Sequence, residues 1–186
     1  MITEKTIEPL IIVGIYNSGK DRIDEYTPTA DAKYKGGHAD AYGRMIVEEL
    51  KPFIDSQYRT LTSAANTALG GSSYGGLVSL YLGLKYPTVF GKLAVVSPSV
   101  WWNNKVILRD VGGVTTKPAL RIWLDCGTAE GGQTTSDMRL LRDSLIAKGW
   151  ILDDSLKYFE AKGAVHDHHA WARRVGPMMT YLFPKN

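Results

Sequence analysis

The chain has 186 residues, 44% of them hydrophobic and 22% charged, with 22 Lys and Arg against 19 Asp and Glu for a formal net charge of +3. These figures describe one ordinary globular domain over residues 1–186, and basic residues scattered along the chain exclude nucleic acid as its main partner. A lone cysteine, Cys126, leaves no disulfide framework, CxxC zinc site or redox pair; the start Met1-Ile2-Thr3-Glu4-Lys5 lacks the basic and apolar regions of a secretory signal, so a cytoplasmic location is expected.

The unbroken run Leu10-Ile11-Ile12-Val13-Gly14-Ile15 predicts a strand buried on both faces of a parallel sheet. A polar loop follows to Gly36-Gly37. From His38 to Ile54, Tyr42, Ile46, Leu50, Phe53 and Ile54 recur at helical spacing, with Pro52 expected to kink or end the helix. The stretch from Thr60 to Leu84 carries no charge, but five glycines, four serines and Asn66 make it too polar for a membrane span. It reads instead as a strand through Thr67-Ala68-Leu69, a sharp turn, and a helix with Leu77, Leu80, Tyr81 and Leu84 on one face, ending before Pro87. Leu93 to Val96, Ala119 to Asp125 and Leu156 to Phe159 predict further strands. Met138, Leu141 and Leu145 mark one more helix, and Trp171, Val175, Met178 and Leu182 mark the last. Strands alternating with helices imply an α/β fold around a central, mostly parallel sheet of about five strands. Chemistry in such sheets sits outside the carboxyl ends of the strands.

Gly71-Ser72-Ser73-Tyr74-Gly75 matches GxSxG at a strand-to-helix junction, the context in which that turn lifts its central serine above the sheet edge. Glycines at 71 and 75 are expected to let the backbone pass closely there. A serine hydroxyl needs an imidazole to take its proton and an acid to orient the imidazole. Both follow later strands: Glu130 in the loop after the Trp123 strand and His166 in the loop after the Phe159 strand. Ser73, Glu130, His166 is the chain order of α/β-hydrolases. Asp125, at the end of its strand, is the rival acid; Glu130 is preferred because a loop residue can reach toward the next loop. His168 and His169 open the final helix as surface or rim residues, and His38 starts a helix. No Cys, HExxH or carboxylate pair accompanies the histidines, so no metal is expected. Trp101 and Trp102, past another strand end, could wall a pocket or pack in the core.

These motifs resemble the esterase family of the α/β-hydrolases that includes esterase D, enterochelin-type siderophore esterases and feruloyl esterases. Val13-Gly14-Ile15 with Arg22 and Glu25-Tyr26-Thr27-Pro28, Glu49 to Ile54, Gly71 to Gly76, Ser97 to Trp102, Gly127 to Glu130, and His166 with Trp171 carry the resemblance over nearly the whole chain. It implies Ser73 as nucleophile, His166 as base, Glu130 as acid and the Tyr74 N–H as one oxyanion donor. Family members usually carry further strands before the equivalent of Leu10 to Ile15, and a loop after one of them normally supplies the second donor. Without that strand, Leu10 to Ile15 is expected to pair directly with the strand entering Ser73, carrying Tyr16 and Asn17 toward the oxyanion position. The alternative is a homodimer whose second chain covers the exposed edge.

The expectation is a truncated α/β-hydrolase fold and a serine esterase without cofactor, acting on short-chain acyl, carbohydrate-linked or siderophore esters. A hydrolase-like domain that only binds a ligand, and an acyltransferase, are the alternatives.

Overall fold

The computed structural model describes residues 1–3 and 6–185. Four of the predicted strands form: β1 (Ala68–Ser72), β2 (Lys92–Val96), β3 (Arg121–Gly127) and β4 (Leu156–Ala161). They pair in chain order, all parallel, with Ser72 opposite Val96, Val96 opposite Asp125, and Gly127 opposite Ala161. This register brings the four carboxyl ends to one edge.

Because the strands advance in one direction, right-handed crossovers place the connecting helices on one face. These are α4 (Tyr74–Lys85), α5 (Trp102–Gly112) and α6 (Thr134–Ala147). Alternation along β3 then sorts the core: Ile122, Leu124 and Cys126 belong to the large cluster with Leu77, Leu80, Met138, Leu141 and Leu145. Trp123 points the other way, to Leu182 and Phe183. The chain after β4 therefore covers the second face through α7 (His168–Ala172) and α8 (Val175–Leu182). Before β1 lie α1 (Arg22–Tyr26), α2 (Ala39–Arg44) and α3 (Lys51–Gln57). Among the described residues no helix is long and apolar enough to cross a membrane.

The strand expected over Leu10 to Ile15 does not form, so among the described residues the sheet has four strands rather than about five. The segment is pinned at its start instead, by an antiparallel bridge between Ile7 and Pro184 and by the Glu8 N–H to the Phe183 carbonyl. Ile12 is left 78% exposed. Between this segment and β1 opens a cavity of about 690 Å³ lined by Ile11, Val13, Ile46, Leu61, Leu69 and Gly70 among others. The expected direct pairing with β1 is thus replaced by an open edge, and alternate β1 residues are exposed, so water can satisfy backbone groups that no strand meets. Pro52 does not end its helix. The residues before it, Met45–Leu50, take a π-helical turn that joins α2 to α3, with the Lys51 N–H reaching the Ile46 carbonyl; the wider turn passes the proline, which has no N–H to give.

Candidate active site

Ser73 follows β1 with φ 59° and ψ −122°, a conformation rare for a residue with a Cβ. Its N–H is held by the Val96 carbonyl and its own carbonyl accepts from Leu77 and Ser99 N–H. A Cβ on Gly71 would meet the Gly75 backbone at 2.8 Å, and one on Gly76 would meet the Val96 carbonyl at 2.9 Å, whereas one on Gly75 would meet nothing within 4 Å. The tight passage thus requires glycine at 71 and 76, correcting the expectation for 75. Tyr74 opens α4, so its N–H has no intrahelical acceptor and stands free at the turn.

The loops after β3 and β4 are zipped together. Thr128 N–H bonds to the Ala161 carbonyl and Ala129 N–H to the Ala164 carbonyl, both at 3.0 Å, while the Gly163 N–H reaches Thr128 Oγ1 at 2.8 Å. A Cβ at Gly127 would collide with the Ala164 carbonyl. This zip joins acid to imidazole: His166 Nδ1 and Glu130 Oε2 are 2.8 Å apart. Glu130 Oε1 accepts from the Gly127 N–H at 2.6 Å and from Ser97 Oγ at 2.5 Å. Burial pushes the Glu130 carboxyl up, but the hydrogen bonds from His166, Ser97 and Gly127 outweigh it and hold the group below its ordinary range.

Asp125 faces inward. It is fully buried, accepting from Trp123 Nε1 at 2.6 Å and pairing with Arg174 at 3.1 Å. Burial dominates, and its carboxyl is pushed up despite Trp123 and Arg174. Of the two candidate acids, only Glu130 contacts His166. Arg174, itself buried, also lies 3.7 Å from Glu130 and donates to Ser97 Oγ at 2.8 Å. Ser97 Oγ accepts from Trp171 Nε1 at 3.1 Å as well, and Trp171 stands edge-on to His166 with centroids 5.0 Å apart. Asp167 caps α7 through the Ala170 N–H at 2.7 Å, fixing the chain just past His166. The roles of Ser97 and Arg174 escaped the sequence reading, although Ser97 follows β2 as Ser73 follows β1 and shares its positive φ, at 43°.

The Ser73 hydroxyl lies 3.4 Å from Ser99 Oγ and is not hydrogen-bonded to His166. Tyr16 is 98% exposed. Asn17 lines the open cavity with Gly71, Ser72 and Gly75, its Oδ1 accepting from the Gly19 N–H at 2.9 Å. Trp102 is fully buried and belongs to the core, whereas Trp101 is 47% exposed. Burial pushes the Cys126 thiol up to about 12, so it offers no thiolate.

A parallel sheet ending on a serine in a strained strand-to-helix turn, with a histidine–carboxylate pair at the same edge, defines the α/β-hydrolase class. The family model described as "Putative esterase" matches residues 1–180, and the chain belongs to that family. It is 28% identical to YbbA of Bacillus subtilis (strain 168) over 98% of this chain and 77% of YbbA. It is 39% identical to a siderophore enterobactin esterase of Emericella nidulans over 40% of this chain and 24% of that protein. Among solved structures, the BES protein of Bacillus cereus shares the fold with a TM-score of 0.77 and 24% identity, over 98% of this chain and 73% of that one. The enterobactin esterase FES of Shigella flexneri does so with a TM-score of 0.76 and 23% identity, over 97% of this chain and 46% of that one. The chain thus spans three quarters of YbbA but less than half of either enterobactin esterase.

Proposed function

We propose that the protein is a serine carboxylic-ester hydrolase with Ser73 as nucleophile, His166 as general base and Glu130 as the orienting acid. The observation that carries this reading is the 2.8 Å contact between Glu130 Oε2 and His166 Nδ1 at the edge where Ser73 stands in its strained turn. With Nδ1–H donated to the carboxylate, Nε2 is the free acceptor. In the reaction the Ser73 hydroxyl leaves Ser99 and donates to Nε2. Oγ then attacks the ester carbonyl as Nε2 takes its proton, the Tyr74 N–H holds the oxyanion, and collapse returns the proton to the leaving alcohol. Water attacks the acyl-enzyme with the same base, releasing the acid. Asn17, on the wall of the open cavity, is the candidate second oxyanion donor through its Nδ2 or backbone N–H; the exposed Tyr16 side chain is not.

Several relatives are named as siderophore esterases, for enterobactin and triacetylfusarinine C, and one as a xylanase and feruloyl esterase. The substrate class we assign is therefore an ester of a siderophore or hydroxycinnamoyl type. The open edge beside β1 favours one rival, a hydrolase-like domain that binds such an ester without turning it over. An organophosphonate separates the two. Stoichiometric labelling of Ser73, with ester turnover lost in Ser73→Ala and His166→Ala, is the expected result; turnover persisting in both variants, or folded protein that takes no label, overturns the reading.

A further inference from the structure

Three consecutive residues without the excuse of glycine, Asn103, Asn104 and Lys105, take the left-handed conformation at φ 40°, 54° and 61° inside α5. Such a run is disfavoured at every step, since Cβ crowds the following carbonyl, and persists only where its surroundings hold it. Asn103 Nδ2 donates to Thr29 Oγ1 at 2.7 Å and to the Ala30 carbonyl at 3.0 Å. Trp102 Nε1 donates to the Thr29 carbonyl at 2.9 Å. Lys105 Nζ pairs with the buried Asp137 at 2.7 Å.

The segment that Asn103 grips is stiff in itself. Thr27 Oγ1 donates to the Ile23 carbonyl at 2.7 Å and accepts from the Gly37 N–H at 2.9 Å. Asp31 Oδ1 accepts from the N–H groups of Lys33 and Tyr34 at 2.8 and 3.0 Å, and Asp31 and Lys35 exchange backbone hydrogen bonds. A Cβ at Gly36 would strike Thr27 and Trp102. The stiff loop carries Tyr34 to within 5.7 Å of Trp101, edge to face, and Trp101 in turn meets Tyr74, the neighbour of Ser73, at 5.9 Å. Tyr34 and Trp101 stay 42% and 47% exposed. Two rings half open to solvent form a ledge against Tyr74, the residue that follows the nucleophile.

We infer that Asn103 is a positioning residue: by holding Thr29 and Ala30 it sets Tyr34 against Trp101, and the resulting ledge selects esters whose acyl group is a planar aromatic ring. The inference rests on the esterase reading for its reaction but not for its binding geometry. An added aromatic contact raises affinity by a factor of roughly 2 to 12, and an aliphatic acyl chain gains no such term. Asn103→Gly keeps the left-handed backbone accessible while removing the amide; Tyr34→Ala removes the ring from an exposed site.

The test measures kcat/KM for ethyl benzoate and ethyl butanoate, which share a leaving group, in the parent, Asn103→Gly, Tyr34→Ala and the double variant. The expected ratio of benzoate to butanoate falls about fivefold in each single variant and no further in the double, with butanoate within about twofold throughout. Equal losses on both esters, an unchanged ratio, or independent losses that multiply in the double variant overturn the inference. If the parent hydrolyses neither ester, the esterase reading fails separately, and benzamide titrated into the same four proteins by NMR decides: weaker binding in both single variants upholds the ledge, and equal or absent binding refutes it.

Discussion

Two apolar stretches of the chain meet opposite fates. Arg121–Gly127 becomes β3, buried between neighbours on both sides, and its trailing loop is tied to the next by hydrogen bonds. Leu10 to Ile15 is richer in β-branched residues, yet it pairs with nothing in the sheet, and Ile11 and Ile12 face solvent. The difference teaches that β-propensity expresses fit to a pleated, half-buried surface rather than an intrinsic backbone preference. A strand exists only where a segment pairs with a neighbour's edge, and this run leaves the free edge of β1 unpaired. The consequence reaches the site, because each element that arrives at the edge through β2, β3 or β4 is held by several partners, while the side of Ser73 that faces the first apolar run is open.

The largest effects belong to the closed side. Glu130→Gln is expected to lower kcat by about 10⁴-fold, since the amide can no longer hold His166 in the tautomer that leaves Nε2 free. Asp125→Asn lowers kcat far less but destabilises the fold by roughly 3–5 kcal/mol, as it leaves the buried Arg174 without its nearest charge. Ester kinetics beside denaturant titration of both variants checks this; a larger kinetic loss in the Asp125 variant would reverse the two assignments.

Next come the two stretches themselves. Leu124→Ala removes a fully buried side chain of β3 and costs about 2–5 kcal/mol through lost transfer energy and the cavity left behind. Ile12→Ala, at an exposed position, stays within about 0.5 kcal/mol. Urea midpoints at constant slope give both numbers, and a loss above about 1.5 kcal/mol at Ile12 would show that the first run is covered in solution.

The effect of acid is smaller and its sign follows from Glu130. The folded-state carboxyl titrates below the ordinary 4.5, so the unfolded chain binds its proton first as pH falls. The stabilisation is complete above that ordinary value and is lost as pH drops through the depressed one. Glu130→Gln removes this contribution. Its stability, lower at neutral pH, declines less steeply than the parent's as pH falls below the ordinary 4.5; parallel decline in the two proteins would mean that the Glu130 hydrogen bonds do not persist in solution.

Much of this architecture was legible because the signals were local or periodic. A continuous apolar run marked β2, short runs rich in apolar and aromatic residues marked β3 and β4, and the glycines around Ser73 marked the turn at the end of β1. Glu130 was preferred to Asp125 as the partner of His166 because a loop residue past its strand can reach toward the next loop, and the contact at 2.8 Å agrees with that choice. What escaped depends on residues remote in the chain. Arg174 is 49 residues from Asp125 and 44 from Glu130, and only the docking of the last helices on the sheet brings it between them. Trp101 and Trp102 looked alike in sequence, and the left-handed turn that follows them separates one into solvent and the other into the core. The failure of Leu10 to Ile15 has the same cause in reverse: the local signal was strong, but contacts at Pro184 and Phe183 hold the segment across a cavity from the free edge of β1.

The finest contrast lies within the GxSxG turn, between two glycines that the motif treats alike. At Gly71 an alanine Cβ would sit 2.8–2.9 Å from the Gly75 backbone, closer than packed atoms tolerate, and neither side can yield because both belong to β1 and α4. The strain, typically 1–3 kcal/mol for an overpacked site, falls on the turn that presents Ser73, so Gly71→Ala is expected to lower both stability and ester turnover. At Gly75 the same methyl would meet nothing within 4 Å, and the residue lies in the first turn of α4, where alanine is favoured over glycine by up to about 1 kcal/mol. Gly75→Ala is therefore expected to be neutral or stabilising by a few tenths of a kcal/mol. If it nevertheless slows ester hydrolysis without changing the thermal midpoint, the space above Gly75 is where the substrate lies, since Gly75 also borders the open cavity. An unchanged rate would place the substrate on the side of Trp101 instead.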